Sequence, residues 1–260
     1  MSRLTPFEKD LRFVRQFARA VTSDQFLGDE IAAAALSNFD YASLEGLSDR
    51  ERQVAVFRAF YDAWRSAPAE SGVAFSNRSV LAARPFTAEP PRQLVLLVDV
   101  IGIDSSKAAA LLDIDSDEAK RMLAEERKLI AATQISGAAL VVEDEPVIAL
   151  EVAATLEMIG LDVVATARNA EDAVRLAHQH KPDVVMADYD LGAGRTGLDA
   201  VRDITSELPV IAIFLTAYPD DVLSGSDYDP TFILTKPFEE RALRAAIVHG
   251  LSMPRAGIIK

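Results

Sequence analysis

The sequence of 260 residues contains no cysteine, which excludes disulfide bonds and thiolate metal sites. This absence fits a reducing compartment, so we expect a cytoplasmic protein. The opening residues, MSRLTPFEKDLRFVRQ, lack the apolar core of a secretory signal peptide. No apolar run approaches the roughly 20 residues that a membrane-spanning helix needs. We therefore expect no membrane association.

The chain also lacks a surplus of basic residues. Its formal net charge is −13. Residues 1–135 hold 17 Lys and Arg against 20 Asp and Glu, a net charge of −3, and residues 136–260 hold 10 against 20, a net charge of −10. Neither half has the positive charge with which proteins usually neutralise the phosphates of nucleic acids.

Histidine is scarce, with three residues in the chain. His178 and His180 are two positions apart in a segment with helical pattern, so they point in different directions and do not form a metal pair. His249 has no partner in the sequence and is interpreted as a surface or packing residue.

The second half of the chain alternates apolar strands with amphipathic helices over residues 138–255. This order predicts a doubly wound α/β domain with a parallel sheet of five strands. The connection 220–230 contains Gly225 and Pro230, so any helix there should be short or frayed. The strands are expected at 138–142, 161–166, 183–188, 209–215 and 230–235, and the helices at 146–159, 170–180, 198–206 and 238–252.

Polar residues follow the ends of these strands. Open α/β folds bind ligands at the carboxyl edge of the sheet, where strand ends meet. Three carboxylates gathered at that edge would repel one another unless a cation joined them, and Mg²⁺ suits such oxygen ligands. With a hydroxyl and an ammonium beside them, they could hold a phosphoryl group on a carboxylate. The residues are Glu143, Asp144, Asp188, Thr216 and Lys236, the last followed by Pro237.

The first half shows helical periodicity and no strand pattern. Residues 66–90 are rich in proline, serine and alanine and are interpreted as a linker. Two helices joined by the turn at 113–115 are typical of a helix-turn-helix. An aromatic face in the third helix is more typical of a core than of a surface for melted DNA. Helices are expected at about 4–21, 26–39, 48–65, 91–101, 105–112 and 116–133, and the aromatic residues are Phe57, Phe60, Tyr61 and Trp64.

The ordered set of strand-end residues resembles that of response-regulator receiver domains, over about residues 138–255. The resemblance implies a flavodoxin-like fold that accepts a phosphoryl group and has no separate catalytic activity. It makes Asp188 the phosphoacceptor and Asp144 a direct Mg²⁺ ligand. Glu143 would act on the metal through water, the main-chain carbonyl of Asp190 would complete the metal site, and Thr216 and Lys236 would hold the phosphoryl oxygens.

The chemistry of phosphoryl transfer fits these roles. Positioning and neutralisation of negative charge contribute most of the catalysis, so the nucleophile needs no general base. One position departs from the receiver pattern. Ile233 stands three residues before Lys236, where receivers often have a rotating aromatic side chain. We therefore do not expect the signalling linkage between the threonine and a rotating aromatic side chain that is usual in receivers.

The first half resembles a small alternative sigma factor, with residues 1–65 like region 2 and residues 90–133 like region 4. A sigma-like domain at 1–135 followed by a receiver at 138–255 is the arrangement of the PhyR family, the general stress-response regulators of alphaproteobacteria. The segment 223–238 is also similar to that family. The resemblance implies an anti-anti-sigma factor. Phosphorylation by a sensor histidine kinase or a phosphotransfer protein would free the sigma-like domain to capture an anti-sigma factor of the NepR type.

The sequence is also compatible with two alternatives. The chain could be a DNA-binding response regulator or a sigma factor controlled by its receiver. Against this, the helix that would enter the groove begins with Ser116, Asp117 and Glu118, and its acids equal its bases from 117 to 128. The sequence Asp188-Tyr189-Asp190 also resembles the nucleophile motif of haloacid-dehalogenase-type phosphatases. That nucleophile follows the first strand of its domain, however, and Asp188 follows the third.

Overall fold

A computed structural model describes residues 6–22, 25–37, 39–66, 89–192, 194–217 and 232–252. The chain divides into two compact units, Met1–Glu126 and Arg127–Lys260. The sequence-based domain limits, 1–135 and 138–255, stay a prediction. Within the described ranges, no helix is both long enough and apolar enough to cross a membrane.

The described residues of the first unit form helices joined by short loops. Side-chain caps set several helix starts. Ser48 and Glu51 exchange hydrogen bonds at the start of the third helix, Asp104 accepts the Ser106 amide at the start of the fifth, and Asp115 accepts the Asp117 amide at the start of the sixth. The helices are α1 (Pro6–Thr22), α2 (Gln25–Leu36), α3 (Asp49–Ser66), α4 (Pro90–Val95, continued by a π-helical turn at Leu96–Val100), α5 (Ser105–Leu112) and α6 (Ser116–Ala132).

The core of this unit is built around aromatic side chains of α1 and α3. Phe17 and Phe57 are fully buried, and their ring centroids lie 5.0 Å apart at an interplanar angle of 63°. Phe60 is fully buried and Tyr61 is nearly so. Phe17 of α1 meets Phe57, Phe60 and Trp64 edge to face, whereas Tyr61 stacks on Phe57. The prediction that the aromatic face of the third helix forms a core is confirmed.

Helix α3 also joins the two sigma-like segments. The Tyr61 hydroxyl donates to Gln93 Oε1 in α4 at 2.7 Å, and this hydrogen bond is buried. Arg58 donates to the Ala110 carbonyl at the end of α5 at 3.1 Å. The helices that resemble regions 2 and 4 therefore pack into one unit rather than folding as separate bodies.

The second unit is the predicted α/β domain. Its five strands are all parallel and run in the order β2-β1-β3-β4-β5. The central strand, β3, is buried along its apolar residues. The prediction of a doubly wound parallel sheet is confirmed. The strands are β1 (Ala138–Val142), β2 (Asp162–Ala167), β3 (Val184–Asp188), β4 (Ile211–Thr216) and β5 (Phe232–Thr235).

Helices follow the strands as expected, with ends that differ by one or two residues from the prediction. The third of them begins at a full capping box, in which Thr196 and Asp199 each accept the other's backbone amide. The connection predicted at 220–230 lies outside the described residues. The described helices of this unit are α7 (Pro146–Met158), α8 (Ala170–His180), α9 (Gly197–Glu207) and α10 (Glu240–Ser252).

Candidate functional site

The parallel register brings two of the acidic strand ends together. Val142 at the end of β1 pairs with Ala187 in β3. The residues that come next are Glu143 and Asp188, so the two residues lie side by side at the carboxyl edge of the sheet. Glu143 is 2% exposed. A carboxylate buried to this extent requires a charged or hydrogen-bonding partner.

Lys236 supplies that partner. Its Nζ atom donates to Asp188 Oδ2 at 2.6 Å and to Glu143 Oε2 at 2.9 Å. The Lys236 side chain is 20% exposed and the Asp188 side chain 17%, so the contacts are largely shielded from water. The cation that joins these two carboxylates in the structure is therefore the lysine ammonium.

Burial and charge move two pKa values at this site. Burial alone would lower the pKa of Lys236, but its hydrogen bonds to Asp188 and Glu143 prevail and raise the pKa above the usual lysine value. Burial raises the pKa of Glu143 above the usual glutamate value, and the hydrogen bond from Lys236 offsets only part of this effect. The ammonium is thus firmly charged, whereas Glu143 carries a desolvation penalty when it ionises.

Thr216 lies at the same edge of the sheet. It is 3% exposed and follows Leu215, which pairs with Asp188 across β3 and β4. Its carbonyl accepts the Lys236 amide at 2.8 Å. This bond extends the β4–β5 ladder to the residue that carries the ammonium, so strand pairing sets the position of Lys236 relative to Asp188.

Asp144 and Asp190 occupy the loops next to this cluster. The Oδ2 atom of Asp144 lies 3.3 Å from the position that a Cβ atom at Gly192 would occupy, so its carboxylate points toward the loop after β3. The Asp190 side chain accepts the Gly192 amide at 3.0 Å. The two predicted metal-site residues therefore belong to loops that meet beside Asp188.

The oxygen atoms of these residues suit a Mg²⁺ site that keeps bound waters better than a site formed by protein ligands alone. In the part of the chain that the structure describes, no group of three His, Cys, Asp or Glu side chains is arranged to hold a metal ion. Mg²⁺ does not need such a cage, because it keeps several waters and takes one or two carboxylates plus phosphate oxygens. Two carboxylates and one main-chain carbonyl, from Asp144, Asp188 and the loop after β3, match this preference of Mg²⁺. They would not suffice for an ion coordinated by protein atoms alone.

Sequence reasoning missed two residues that shape the site. Gly197 starts α9, and a Cβ atom there would lie 1.8 Å from the Asp188 carbonyl oxygen. The guanidinium of Arg168 donates to the Asp144 carbonyl. A glycine at the first position of a helix and a lone arginine directly after a strand were the available signals, but neither pattern by itself identifies a contact.

Ile233, in the position of the usual aromatic, is 3% exposed and packs in the core with Phe214. Phe232 is 1% exposed and lies against His249 of α10, with ring centroids 6.4 Å apart. His249 is 2% exposed, so of the two interpretations the packing role is confirmed. Neither residue at 232 or 233 lies on the surface of this structure.

The helix-turn-helix of the first unit presents acids rather than bases at the start of α6. Residues 115–118 are exposed. Asp117 pairs with Lys120 at 2.9 Å, which leaves that lysine partly neutralised. A DNA-reading helix enters the groove with its amino-terminal residues, and here those residues would face phosphates of like charge.

The phosphatase alternative does not match the topology. Asp188 ends β3, the central strand of the order β2-β1-β3-β4-β5, whereas the nucleophile of that class follows the first strand of its domain. The acids at the end of β1 and the lysine after β5 fit the receiver arrangement instead.

Comparisons with known proteins agree with this geometry. The response regulator receiver domain model matches residues 139–248. The phyllosphere-induced regulator PhyR of Methylorubrum extorquens is 32% identical over 93% of this chain and 91% of that protein. The crystal structure of the response regulator PhyR from Brucella abortus has 32% identity and a TM-score of 0.72, covering 94% of this chain and 91% of that one. The anti-anti-sigma factor PhyR from Bartonella quintana has 29% identity and a TM-score of 0.72, covering 94% and 93%.

The fold and the strand-end residues define a response regulator, in which a receiver follows a helical unit. The similarity extends over both units rather than over the receiver alone. The chain belongs to the PhyR family.

Proposed function

We propose that this chain is a phosphorylation-controlled interaction switch that acts as an anti-anti-sigma factor. Phosphorylation of Asp188 frees the sigma-like unit to capture an anti-sigma factor of the NepR type, and the captured factor releases the general stress sigma factor. A sensor histidine kinase, directly or through a phosphotransfer protein, donates the phosphoryl group in the cytoplasm. The chain is a regulator and has no separate catalytic activity.

The observation that carries this proposal is the contact of Lys236 with Asp188 at 2.6 Å, at the carboxyl end of the central strand. The similarity to family members over more than nine-tenths of the chain supports it. The Bartonella quintana relative is described as an anti-anti-sigma factor, and its fold is shared by both units of this chain.

The proposed reaction at Asp188 is an in-line displacement. A carboxylate oxygen forms a bond to phosphorus while the bond between phosphorus and the donor imidazole nitrogen breaks, and the imidazole keeps the electron pair. Lys236 and Thr216 hold the phosphoryl oxygens. Neutralising charge on the carboxylate and on the phosphoryl group lowers the barrier more than a general base would.

We propose Mg²⁺ as the cofactor of this site. Asp144 and Asp188 would hold it with the main-chain carbonyl of Asp190, and Glu143 would act through a bound water. When bound, Mg²⁺ supplies electrostatic stabilisation of the phosphoryl oxygens. Mg²⁺ sites of this type keep open positions for waters and phosphate, and this donor set leaves such positions.

We propose that the sigma-like unit binds a protein rather than promoter DNA. The exposed acids at the start of α6 and the net charge of −3 over residues 1–135 do not provide the counterion release on which DNA affinity depends. The unit keeps the helical arrangement of a sigma factor without its positive charge. The alternative is a DNA-binding regulator or a receiver-controlled sigma factor, which would bind promoter DNA specifically.

Capture of a purified NepR-type anti-sigma factor, measured with and without beryllofluoride, tests the switch. Domain coupling of this kind commonly changes affinity by about 5- to 150-fold. We expect a gain in that range with beryllofluoride and Mg²⁺. Equal affinity in the two states would contradict phosphorylation control.

Labelling by radioactive acetyl phosphate tests the acceptor. Asp188→Asn should abolish Mg²⁺-dependent labelling, because it removes the nucleophilic carboxylate. Asp203→Asn is the matched control, since Asp203 lies on the surface of α9 and pairs with Arg195 at 2.6 Å. Undiminished labelling of Asp188→Asn would contradict the assignment of Asp188.

A further inference from the structure

Arg168 is exposed at the surface and follows β2 directly. Its Nε and Nη2 atoms donate to the same acceptor, the main-chain carbonyl oxygen of Asp144, at 3.3 Å and 3.2 Å. Hydrogen bonds from a charged donor are stronger than those between neutral groups. The arginine therefore connects the loop after β2 to the loop that carries a predicted metal ligand.

A second bond joins the same two loops. The Glu143 amide donates to the Ala167 carbonyl at 3.0 Å. This amide belongs to the peptide group before Glu143, and the carbonyl held by Arg168 belongs to the peptide group after Asp144. Both ends of the Glu143–Asp144 pair are thus anchored to the connection between β2 and α8.

Anchoring both peptide groups limits the directions in which Asp144 can present its side chain. The backbone torsions between the two anchored groups are restricted, so most of the remaining freedom of Asp144 lies in its side-chain torsions. The loop after β3 lies on the other side, where Asp144 Oδ2 is 3.3 Å from the Cβ position of Gly192. The Asp144 carboxylate is therefore directed toward the segment that contains Asp188 and Asp190.

We propose that Arg168 is a positioning residue for the cation site, acting through the Asp144 carbonyl. This inference rests on the proposed function of the strand-end residues. Contacts that orient a metal ligand from outside its coordination shell typically change metal affinity by about 10- to 100-fold. Arg168 lies on the surface, so replacing it does not remove a core side chain.

The charge of Arg168 has the opposite effect on a cation. A guanidinium near a metal site repels Mg²⁺, so its loss would by Coulomb interaction alone strengthen Mg²⁺ binding. Loss of positioning would weaken it. The sign of the change in affinity therefore separates the positioning role from a simple charge effect.

The experiment titrates the full-length chain with Mg²⁺ in the absence of any phosphodonor. Binding is followed by calorimetry and by the amide NMR signal of Gly192. We expect Arg168→Ala to raise the dissociation constant about tenfold, at the lower end of the range for such contacts. Arg168→Lys keeps the charge without the forked donor and should recover only part of the affinity.

Arg175→Ala is the matched control. Arg175 lies on α8, the helix that follows Arg168, and pairs with Asp172 at 2.6 Å, so this variant removes an arginine charge without removing a contact to Asp144. It should leave the Mg²⁺ affinity unchanged. With acetyl phosphate as donor, Arg168→Ala should need about tenfold more Mg²⁺ for half-maximal labelling, while its labelling rate at saturating Mg²⁺ stays close to that of the wild type.

Two results would overturn the inference. One is an unchanged or tighter Mg²⁺ affinity in Arg168→Ala, and the other is an equal loss in Arg175→Ala. A wild-type chain that neither binds Mg²⁺ nor accepts phosphoryl would instead contradict the proposed function of the site. The two failures are therefore distinguishable.

Discussion

The Nζ atom of Lys236 lies 2.6 Å from Oδ2 of Asp188, and the same ammonium holds Glu143 Oε2 at 2.9 Å. The three residues come from the ends of β1, β3 and β5, and Glu143 and Lys236 are 93 positions apart along the chain. The positive charge is therefore in place beside the carboxylate that we propose as the phosphoacceptor before any phosphoryl group arrives. Such preorganisation avoids the cost of reorienting solvent during the reaction.

Replacing Lys236 should impair phosphorylation and alter the titration of Glu143. We expect Lys236→Met to lower the rate of labelling by acetyl phosphate by about 100-fold or more, the usual cost of removing one stabilising donor. The pKa of Glu143 should rise further, because burial and the Asp188 charge remain while the lysine that opposes them is lost. Carboxyl carbon NMR titration measures this shift.

Burial of Glu143 also makes the stability of the second unit depend on pH. The pKa of Glu143 is raised on folding, so its ionisation costs stability as the pH rises from the ordinary value of 4.5 through the folded value. Lys236→Met should extend that loss to higher pH. Lys120→Met is the control, since Lys120 is exposed and pairs with Asp117. A Glu143 pKa that falls in Lys236→Met would contradict the electrostatic account.

Gly197→Ala should displace the backbone of Asp188, the proposed phosphoacceptor. The added Cβ atom would lie 1.8 Å from the Asp188 carbonyl oxygen, a distance that neither backbone can tolerate. Overpacking of this kind costs about 1–3 kcal/mol, and we expect labelling of Asp188 to fall with it. Gly194→Ala in the same loop meets nothing within 4 Å, although its φ of +108° carries backbone strain. If both variants reduced labelling equally, strain rather than the clash would be responsible.

Tyr61→Phe tests how the two sigma-like segments are joined. It removes the buried hydrogen bond to Gln93 and should lower the free energy of unfolding of the first unit by about 1 kcal/mol at neutral pH. Trp64, the only tryptophan of the chain, lies with its ring centroid 6.1 Å from that of Tyr61. Urea unfolding followed by its fluorescence therefore reports on this unit.

The same variant should show a distinct pH dependence. Burial raises the pKa of Tyr61 above the ordinary tyrosine value of 10.0, so stability from this group is present below pH 10.0 and is lost as the pH rises through the folded value. The difference between wild type and Tyr61→Phe should shrink in that range. Tyr41→Phe is the control, because Tyr41 is 39% exposed. A constant difference across alkaline pH would argue against a buried, neutral Tyr61.

Arg244 should stabilise the second unit through backbone carbonyls. Its guanidinium donates to Ile130 at 3.0 Å, to Thr133 at 2.5 Å and to Ile159 at 3.4 Å, which satisfies carbonyls at the ends of two helices. We expect Arg244→Ala to lower the free energy of unfolding by about 2 kcal/mol and to speed hydrogen exchange at residues 130–135. Arg241→Ala, which removes an exposed ion pair one turn away, should change neither quantity measurably.

Promoter binding separates the sigma-mimic proposal from its alternative. We expect no sequence-specific binding of the full-length chain, with or without beryllofluoride, in anisotropy titrations at several salt concentrations. A sequence-specific DNA-binding protein neutralises several phosphates. The logarithm of its affinity falls with the logarithm of the salt concentration, with a slope of about −0.9 for each phosphate contact. Specific binding tighter than about 1 μM at physiological salt, beyond the usual non-specific range, would favour the DNA-binding alternative.

The order of elements and the chemistry of the strand ends could be predicted from the sequence by itself. Alternation of apolar strands and amphipathic helices is a local pattern, and it predicts a parallel sheet without knowledge of any contact. Parallel strands share one carboxyl edge, so residues such as Asp188 and Lys236 had to lie near each other. The helical first unit and its aromatic core followed from periodicity in the same way.

Only the tertiary structure decided which of these residues contact one another. Three contacts depend on distances between residues remote in sequence. Lys236 pairs with Glu143 as well as Asp188, Arg168 holds the Asp144 carbonyl, and Gly197 packs on the Asp188 backbone. No local pattern encodes such distances, because they result from strand order, register and loop conformation acting together. Burial, which raises the pKa of Glu143, likewise exists only once the sheet and its helices have packed.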